Sequence, residues 1–248
     1  MAILIPMAGA GTRFKQAGYE LPKPLIDVMG KPMIEWVIES LKPIERQSGT
    51  EEEYIFIVQK EHYQKYDIKN VLKSLKPICQ IIQIDGLSDG SASTTLFAEK
   101  YVDPHGYLIM ANSDQFFTLN ESDDWFFRKQ LTKYGGCTLL FPAQDIKWSY
   151  ASIDRDKIIE VAAKNPISSL ALCGIYGWGM SRDYFSSAKQ MIRKNLRVNN
   201  EFYICPVYNE YIQNNPEWDF HIGYIEVKEM WGLGTPEDLE HFIQNYKG

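Results

Sequence analysis

Short apolar runs alternate along this chain with segments whose apolar positions recur every three or four residues. Ala2 to Pro6 is a continuous apolar stretch and predicts a buried strand. Met33 to Leu41 places Ile34, Val37, Ile38 and Leu41 on one face of a helix. Tyr54 to Val58 is rich in strand formers, His62 to Leu75 predicts a helix, and Ile78 to Ile84 a strand again. Ser91 to Tyr101 follows as a helix, Tyr107 to Ala111 as a short strand, and Ser122 to Tyr134 as a helix whose Asp-rich first turn suits the helix dipole. Cys137 to Phe141 is another strand.

Such alternation implies right-handed βαβ units and a mostly parallel sheet with helices on both faces, a three-layer α/β architecture. After about residue 145 the rhythm changes. Tyr150 to Ile153 and Ile158 to Val161 flank Asp154-Arg155-Asp156-Lys157 and predict a hairpin. Leu172 to Trp178 is a strand and Arg182 to Lys194 a helix. Phe202 to Asn214 is expected helical, Asp219 to Val227 is a late strand, and Pro236 to Tyr246 is a closing helix with Pro in its first turn. No repeat or linker interrupts the chain. The expectation is one domain over residues 1–248, with a binding core in 1–145 and a smaller elaboration in 146–248.

Composition narrows the possibilities. The 248 residues are 45% hydrophobic, enough for a core that needs no staple. A net charge of -6 argues against a nucleic-acid polymer as partner, while leaving room for a small anion held by local basic groups. Cys79, Cys137, Cys173 and Cys205 have neither zinc nor redox spacing, so free thiols in a reducing, cytoplasmic setting are expected. The apolar start lacks a basic leader, and no run is long enough for membrane insertion. A homo-oligomer stays open.

The most informative segment is Ala8-Gly9-Ala10-Gly11-Thr12-Arg13-Phe14, directly after the first strand. Glycines there let a backbone approach a polyphosphate closely, and free N–H groups can cradle it. Phe14 stands where a dinucleotide fingerprint needs its third Gly, and no Gly-Lys-Ser/Thr follows for a P-loop. Arg13 and the Pro-flanked Lys23 of Leu21-Pro22-Lys23-Pro24-Leu25 add two cations suited to a departing pyrophosphate.

With Pro22-Lys23-Pro24-Leu25 and Gly30-Lys31-Pro32-Met33-Ile34, this stretch resembles the signature of sugar-phosphate nucleotidylyltransferases, and the resemblance runs on to Gly234-Thr235-Pro236-Glu237. It implies a Rossmann-like, GT-A-like sheet, an acceptor-binding C-terminal part, and triphosphate-binding roles for Ala8, Gly9, Ala10, Gly11 and Thr12. It also implies that Arg13 and Lys23 balance the leaving group. Asp85, Gly86, Gly90 and Ser91 fall in the segment similar to the family's base-and-ribose loop. Asp114, after the Tyr107 to Ala111 strand, is similar to the family's metal aspartate, implying Mg²⁺, or Mn²⁺ in its place.

Two departures stand out. The family carries a second metal Asp two residues before the Gly of Gly-Thr; here that residue is Gly232, with Glu226, Glu229, Asp85 and Asp89 as weak substitutes. Trp148-Ser149-Tyr150-Ala151 and Ala163-Lys164-Asn165-Pro166 replace the family's Tyr-Gly and Glu-Lys-Pro, so a hydroxyl reader is missing and Ala151 is expected to add a methyl at the acceptor. Tyr150, Lys164, Arg197, Asn199, Asn200 and Glu201 are the expected acceptor residues, with Trp148, Trp178 and Trp231 as candidate pocket walls. The overall pattern, including Arg197 to Tyr203 and Trp231 to Asp238, resembles a surface-polysaccharide (capsule) branch, some members of which are cytidylyltransferases, including ones acting on phosphorylated amino-acid amides such as phosphoglutamine. CMP transfer from CTP to a small phosphorylated acceptor, with pyrophosphate release, is thereby implied. The rivals are a sugar-1-phosphate nucleotidylyltransferase using UTP or dTTP, a non-catalytic nucleotide-binding subunit, and a glycosyltransferase, whose paired Asp motif Asn112 interrupts.

Overall fold

The computed structural model describes residues 1–45, 52–120, 123–216 and 221–247. Ser122 and Asp219, at the starts of two expected elements, lie outside the described residues, as do the side chains of Asp123 and Asp124.

Among the described residues one nine-stranded sheet runs in the order Gln80–Ile84, Glu53–Gln59, Ala2–Pro6, Leu108–Ala111, Leu170–Trp178, Gly136–Pro142, Ile222–Glu226, Lys157–Ala163, Ser149–Asp154. The first four strands are parallel, as expected of βαβ units. The sheet as a whole is mixed rather than mostly parallel. Leu170–Trp178 lies antiparallel to both neighbours, and the hairpin strands Ser149–Asp154 and Lys157–Ala163 add an antiparallel edge. The two-residue turn between Ser149–Asp154 and Lys157–Ala163 permits that edge, because only parallel neighbours need a crossover.

The strands alternate between two cores. Leu4, Ile55 and Ile57 face one cluster with Trp178, Tyr184 and Tyr208; Ile3, Ile5, Tyr54 and Phe56 face the other, with Val37, Leu41 and Phe127. Period-two alternation in strands buried on both sides produces the three layers.

Several expected elements shift. The helix expected over His62 to Leu75 divides into Lys60–Lys65 and Ile68–Leu75, because Tyr66 takes extended backbone between them. The one expected over Phe202 to Asn214 begins only at Val207, after Pro206. Residues just before it lie along the Asp89 loop instead, with Phe202 N–H donating to Asp89 O (2.8 Å) and Ala92 N–H to Phe202 O (2.9 Å). The two-stranded ribbon of Gln115–Thr118 and Glu229–Gly232 is new to the sequence reading.

A third, smaller apolar cluster lies behind the ribbon. Phe14, Ile26, Trp36, Phe116, Leu233 and Phe242 meet there. Trp36 packs edge-on against Phe116 and Phe242 at ring separations of 5.2 and 5.1 Å, and its indole N–H donates to Val28 O at 2.8 Å. Trp36→Ala should therefore lower stability by about 3–5 kcal/mol, the usual range for truncating a buried aromatic, measurable by urea unfolding.

Candidate active site

The third cluster fixes the backbone that carries the site. Phe14 follows Arg13, Ile26 closes the turn after Lys23, Phe116 stands two residues past Asp114, and Leu233 adjoins Gly234. Their neighbours project into a cleft of about 410 Å³.

The glycine segment forms one wall. Gln59, at the end of the adjacent strand, donates from Nε2 to Ala8 O at 2.9 Å and Gly9 O at 3.1 Å, turning both carbonyls into the protein. Gly11 lies at φ +64°, then starts the short helix Thr12–Gln16. A Cβ placed on Gly9 would meet nothing within 4 Å, although Gly9 lines the cleft. The bare edge there is open to a ligand. Arg13 reaches the same cleft, with no ion pair among the described residues.

Lys23 and Asp114 meet across 91 residues of sequence, Nζ to Oδ2 at 2.5 Å, both partly exposed. Gly234 makes room for that carboxylate: a Cβ on it would sit 2.9 Å from Asp114 Oδ2. Leu233 N–H donates to Asp114 O at 2.8 Å, clamping the two segments together. Gln115 adds a nearly buried amide; its Nε2 donates to Asn112 O, leaving Oε1 without a partner among the described residues. A partly exposed carboxylate and an orphaned amide oxygen lining one cleft fit a site that receives a cation. Among the described residues no group of three or more His, Cys, Asp or Glu gathers to hold a metal.

On the opposite wall Lys164, at φ +56°, donates to Lys147 O and lies over the Tyr203 ring at 5.7 Å. Burial pushes its ammonium below the ordinary lysine pKa; Arg13 repels it further, while Asp114, Cys205 and Glu201 pull the other way. Arg13, Asp114, Lys164 and Glu201 thus share one field.

Of the residues expected from sequence, the cleft brings together Ala8, Gly9, Ala10, Gly11, Arg13, Lys23, Gly90, Ser91, Asp114, Lys164 and Glu201, together with the expected wall Trp148. Others lie elsewhere. Thr12 is exposed on its helix, outside the cleft lining, and so is Gly86. Asp85 is solvent-exposed and pairs with Lys60 at 3.3 Å. Tyr150 is fully buried and donates to Asp145 O at 2.7 Å, while Ala151 is fully buried in the core, so its methyl does not border the acceptor space. Arg197 is spent on structure: it pairs with Asp89 at 2.9 Å, donates to Asn200 O at 3.0 Å and stacks on Phe202 at 4.0 Å. Asn199 and Asn200 take φ +50° and +65° in a tight turn closed by Val198 and Glu201, which is the conformation a type I′ hairpin needs and Asn tolerates. Trp178 and Trp231 sit away from the cleft lining.

Sequence reasoning missed Lys147, Asp238, Gln115 and Tyr203 in the lining. Asp238 reads in sequence as an ordinary acidic first-turn residue, and its place became visible only once the ribbon put position 232 beside it.

No protein-family model matches the chain. It is 27% identical over 183 residues to the Bifunctional protein GlmU of Methanocaldococcus jannaschii, covering 71% of this chain and 39% of that protein. It spans 25% and 31% of two further bifunctional proteins of that name. Over nearly its full length (99% of this chain and 100% of the relative) it is 23% identical to the D-glycero-alpha-D-manno-heptose 1-phosphate guanylyltransferase of Campylobacter jejuni. The crystal structure of a nucleoside-diphosphate-sugar pyrophosphorylase from Vibrio cholerae RC9 superposes with TM-score 0.80 at 26% identity, covering 98% and 100% of the two chains. These relatives and neighbours support the sugar-phosphate nucleotidyltransferase family. They support an enzyme of that type. No helix among the described residues is long and apolar enough to cross a membrane.

The glycine wall makes a separable forecast. Gly9→Ala should leave thermal unfolding unchanged yet weaken binding of inorganic triphosphate, followed calorimetrically. Gly11→Ala should cost about 1–2 kcal/mol of stability, because an L-residue resists positive φ.

Proposed function

We propose that this chain transfers a nucleoside monophosphate from an NTP to a small phosphorylated acceptor, releasing pyrophosphate. The carrying observation is the Lys23–Asp114 contact at 2.5 Å, which sets a cation and a carboxylate side by side in the cleft that the glycine segment lines. In this reading the 8–11 backbone grips the triphosphate, and the loop around Gly90 and Ser91 takes the base and ribose. Residues 1–145 form the nucleotide-binding core and 146–248 the acceptor part. Lys164 aligns the acceptor phosphate so that its oxygen attacks the α-phosphorus in line. Arg13 and Lys23 stabilise charge on the departing pyrophosphate. A divalent ion, Mg²⁺ or Mn²⁺, would be held by Asp114 and would neutralise charge between phosphates. The acceptor is already ionised at neutral pH, so positioning and charge neutralisation suffice without a side-chain base.

The finer assignment is CMP from CTP, onto an acceptor other than an ordinary hexose 1-phosphate, such as a phosphorylated amino-acid amide used for surface polysaccharide. Its support is the likeness of the Arg197 to Tyr203 and Trp231 to Asp238 segments to that branch. Glu201 beside Lys164 adds to it, giving the acceptor wall an anion suited to an ammonium as well as a cation suited to a phosphate. A matrix of four NTPs against phosphorylated sugars, polyols and amino-acid derivatives, read by pyrophosphate release, tests both levels. Silence across the whole matrix rejects the activity, and release with UTP or dTTP and a hexose 1-phosphate rejects the finer assignment.

Arg13→Ala should lower kcat by about 100- to 1000-fold, the typical loss for a preorganised charge donor, with the unfolding curve unchanged. Because burial and Arg13 lower the Lys164 pKa, its charge is present at low pH and is lost earlier than that of an exposed lysine as pH rises. The acceptor kcat/KM should fall on the alkaline side, and Lys164→Arg should move that fall to higher pH, because guanidinium keeps its proton.

A further inference from the structure

The bare position at Gly232 has a physical explanation that points to another residue. A Cβ on Gly232 would lie 2.8 Å from Trp148 Cη2, so the indole fills the space an aspartate would need. The same Cβ would lie 3.5 Å from Cγ of Asp238. The carboxyl group nearest that vacant side-chain position therefore comes from the next helix, Pro236–Asn245, rather than from the strand. Gly234, two residues on, has its own missing Cβ against Asp114 Oδ2 at 2.9 Å. Leu233 between them is fully buried on the opposite side. The strand ends at Gly232 and the chain bends at Gly234, and the two bare glycine positions on either side of Leu233 are covered by Asp238 and Asp114, both of which line the cleft.

Each carboxylate is matched by a lysine. Lys23 meets Asp114 at 2.5 Å, and Lys147 meets Asp238 Oδ1 at 2.5 Å. Both pairs line the cleft, both are partly exposed, and each joins segments 91 residues apart. Asp238 is the third residue of its helix, after the capping Thr235, whose hydroxyl accepts from Asp238 N–H at 3.1 Å. The cap thus engages the backbone of Asp238, and its side chain is directed to Lys147. An independent observation marks the cleft as a ligand site: Gln115, which pairs in register with Gly232, is 2% exposed, lines the same cleft beside Gly174, and keeps Oε1 unpartnered among the described residues.

We propose that Asp238 is the second metal-facing carboxylate of this chain, relocated from position 232 to the following helix, with Lys147 as its placeholder cation. This rests on the nucleotidyltransferase reading and deepens it. Without ligand, each lysine neutralises its aspartate, so neither carboxylate stands as an uncompensated charge. When a dication and triphosphate enter together, the carboxylates turn to the dication and both ammonium groups become available to phosphate oxygens. Glycine at 232 is then a consequence of Trp148 occupying the wall, and the site retains two carboxylates.

The test is Mn²⁺ binding, followed by electron paramagnetic resonance of the free ion with no nucleotide present, for the unmodified chain and for Asp114→Asn, Asp238→Asn and Lys147→Met, each checked by thermal unfolding. Asp238→Asn should weaken Mn²⁺ by at least about tenfold, the lower bound seen for losing even an outer-shell partner. Lys147→Met should leave Mn²⁺ affinity equal or tighter, because it removes the competitor and keeps the carboxylate. A purely structural ion pair would make these two variants behave alike, through equal loss of stability. The inference is overturned if Asp238→Asn binds Mn²⁺ within twofold of the unmodified chain, or if Lys147→Met loses as much as Asp238→Asn does. Loss in Asp114→Asn alone overturns it while the wider reading stands. An unmodified chain that binds no Mn²⁺ and releases no pyrophosphate across the substrate matrix sinks both.

Discussion

Burial of a small aromatic cluster behind the cleft is the constraint on which the rest depends. Phe14, Ile26, Trp36, Phe116, Leu233 and Phe242 come from segments scattered between residue 14 and residue 242, and removing their surfaces from water pins those segments to one another. Arg13, Lys23, Asp114 and Gly234 are each one to three residues from a member of that cluster. The charged groups pay little of the cost of their own placement. Exposed ion pairs are weak, on the order of 0–1 kcal/mol, and the partly exposed Lys23–Asp114 pair is too slight to fold the loops around it. The apolar side chains behind it do that.

The wall proposed for the acceptor is organised by a different device. The turn at Asn199 and Asn200 and the Arg197–Asp89 pair fasten the 197–203 segment to the loop bearing Gly90. Gly90 lies so close to Phe202 that a Cβ there would come within 2.6 Å of its backbone nitrogen. The segment that presents Glu201 and Tyr203 and the loop proposed to read the nucleobase are therefore one mechanical unit. Groups that look like ligand readers in sequence, Arg197 and the two asparagines, hold this unit together, while Glu201 and Tyr203, after the turn, line the cleft.

Local signals in the chain were enough for much of the cleft wall that the glycine segment forms. A glycine turn after an apolar strand is dictated by residues adjacent in sequence, so Gly9, Gly11 and Arg13 could be read directly. The Pro-flanked Lys23 and the strand-end Asp114 were legible for the same reason, each being defined by its immediate neighbours. The parallel order of the first strands also followed from alternation, because a crossover helix leaves little choice of direction.

Where a side chain points when two distant segments share a wall was settled only by the tertiary structure. Tyr150 and Ala151 carry the same local pattern whether they border the cleft or the core, and the pairing of Ala171 with Tyr150 sends both inward. Phe202 to Cys205 has helical periodicity, yet contacts with the Asp89 loop and the proline at 206 keep it irregular. Asp238 has the composition of any first helical turn, and its nearness to position 232 exists only because the Gln115–Thr118 ribbon folds the chain back on itself. Sequence fixes short-range backbone preferences and the periodicity of burial; which residues converge from 91 positions apart depends on packing that no local window contains.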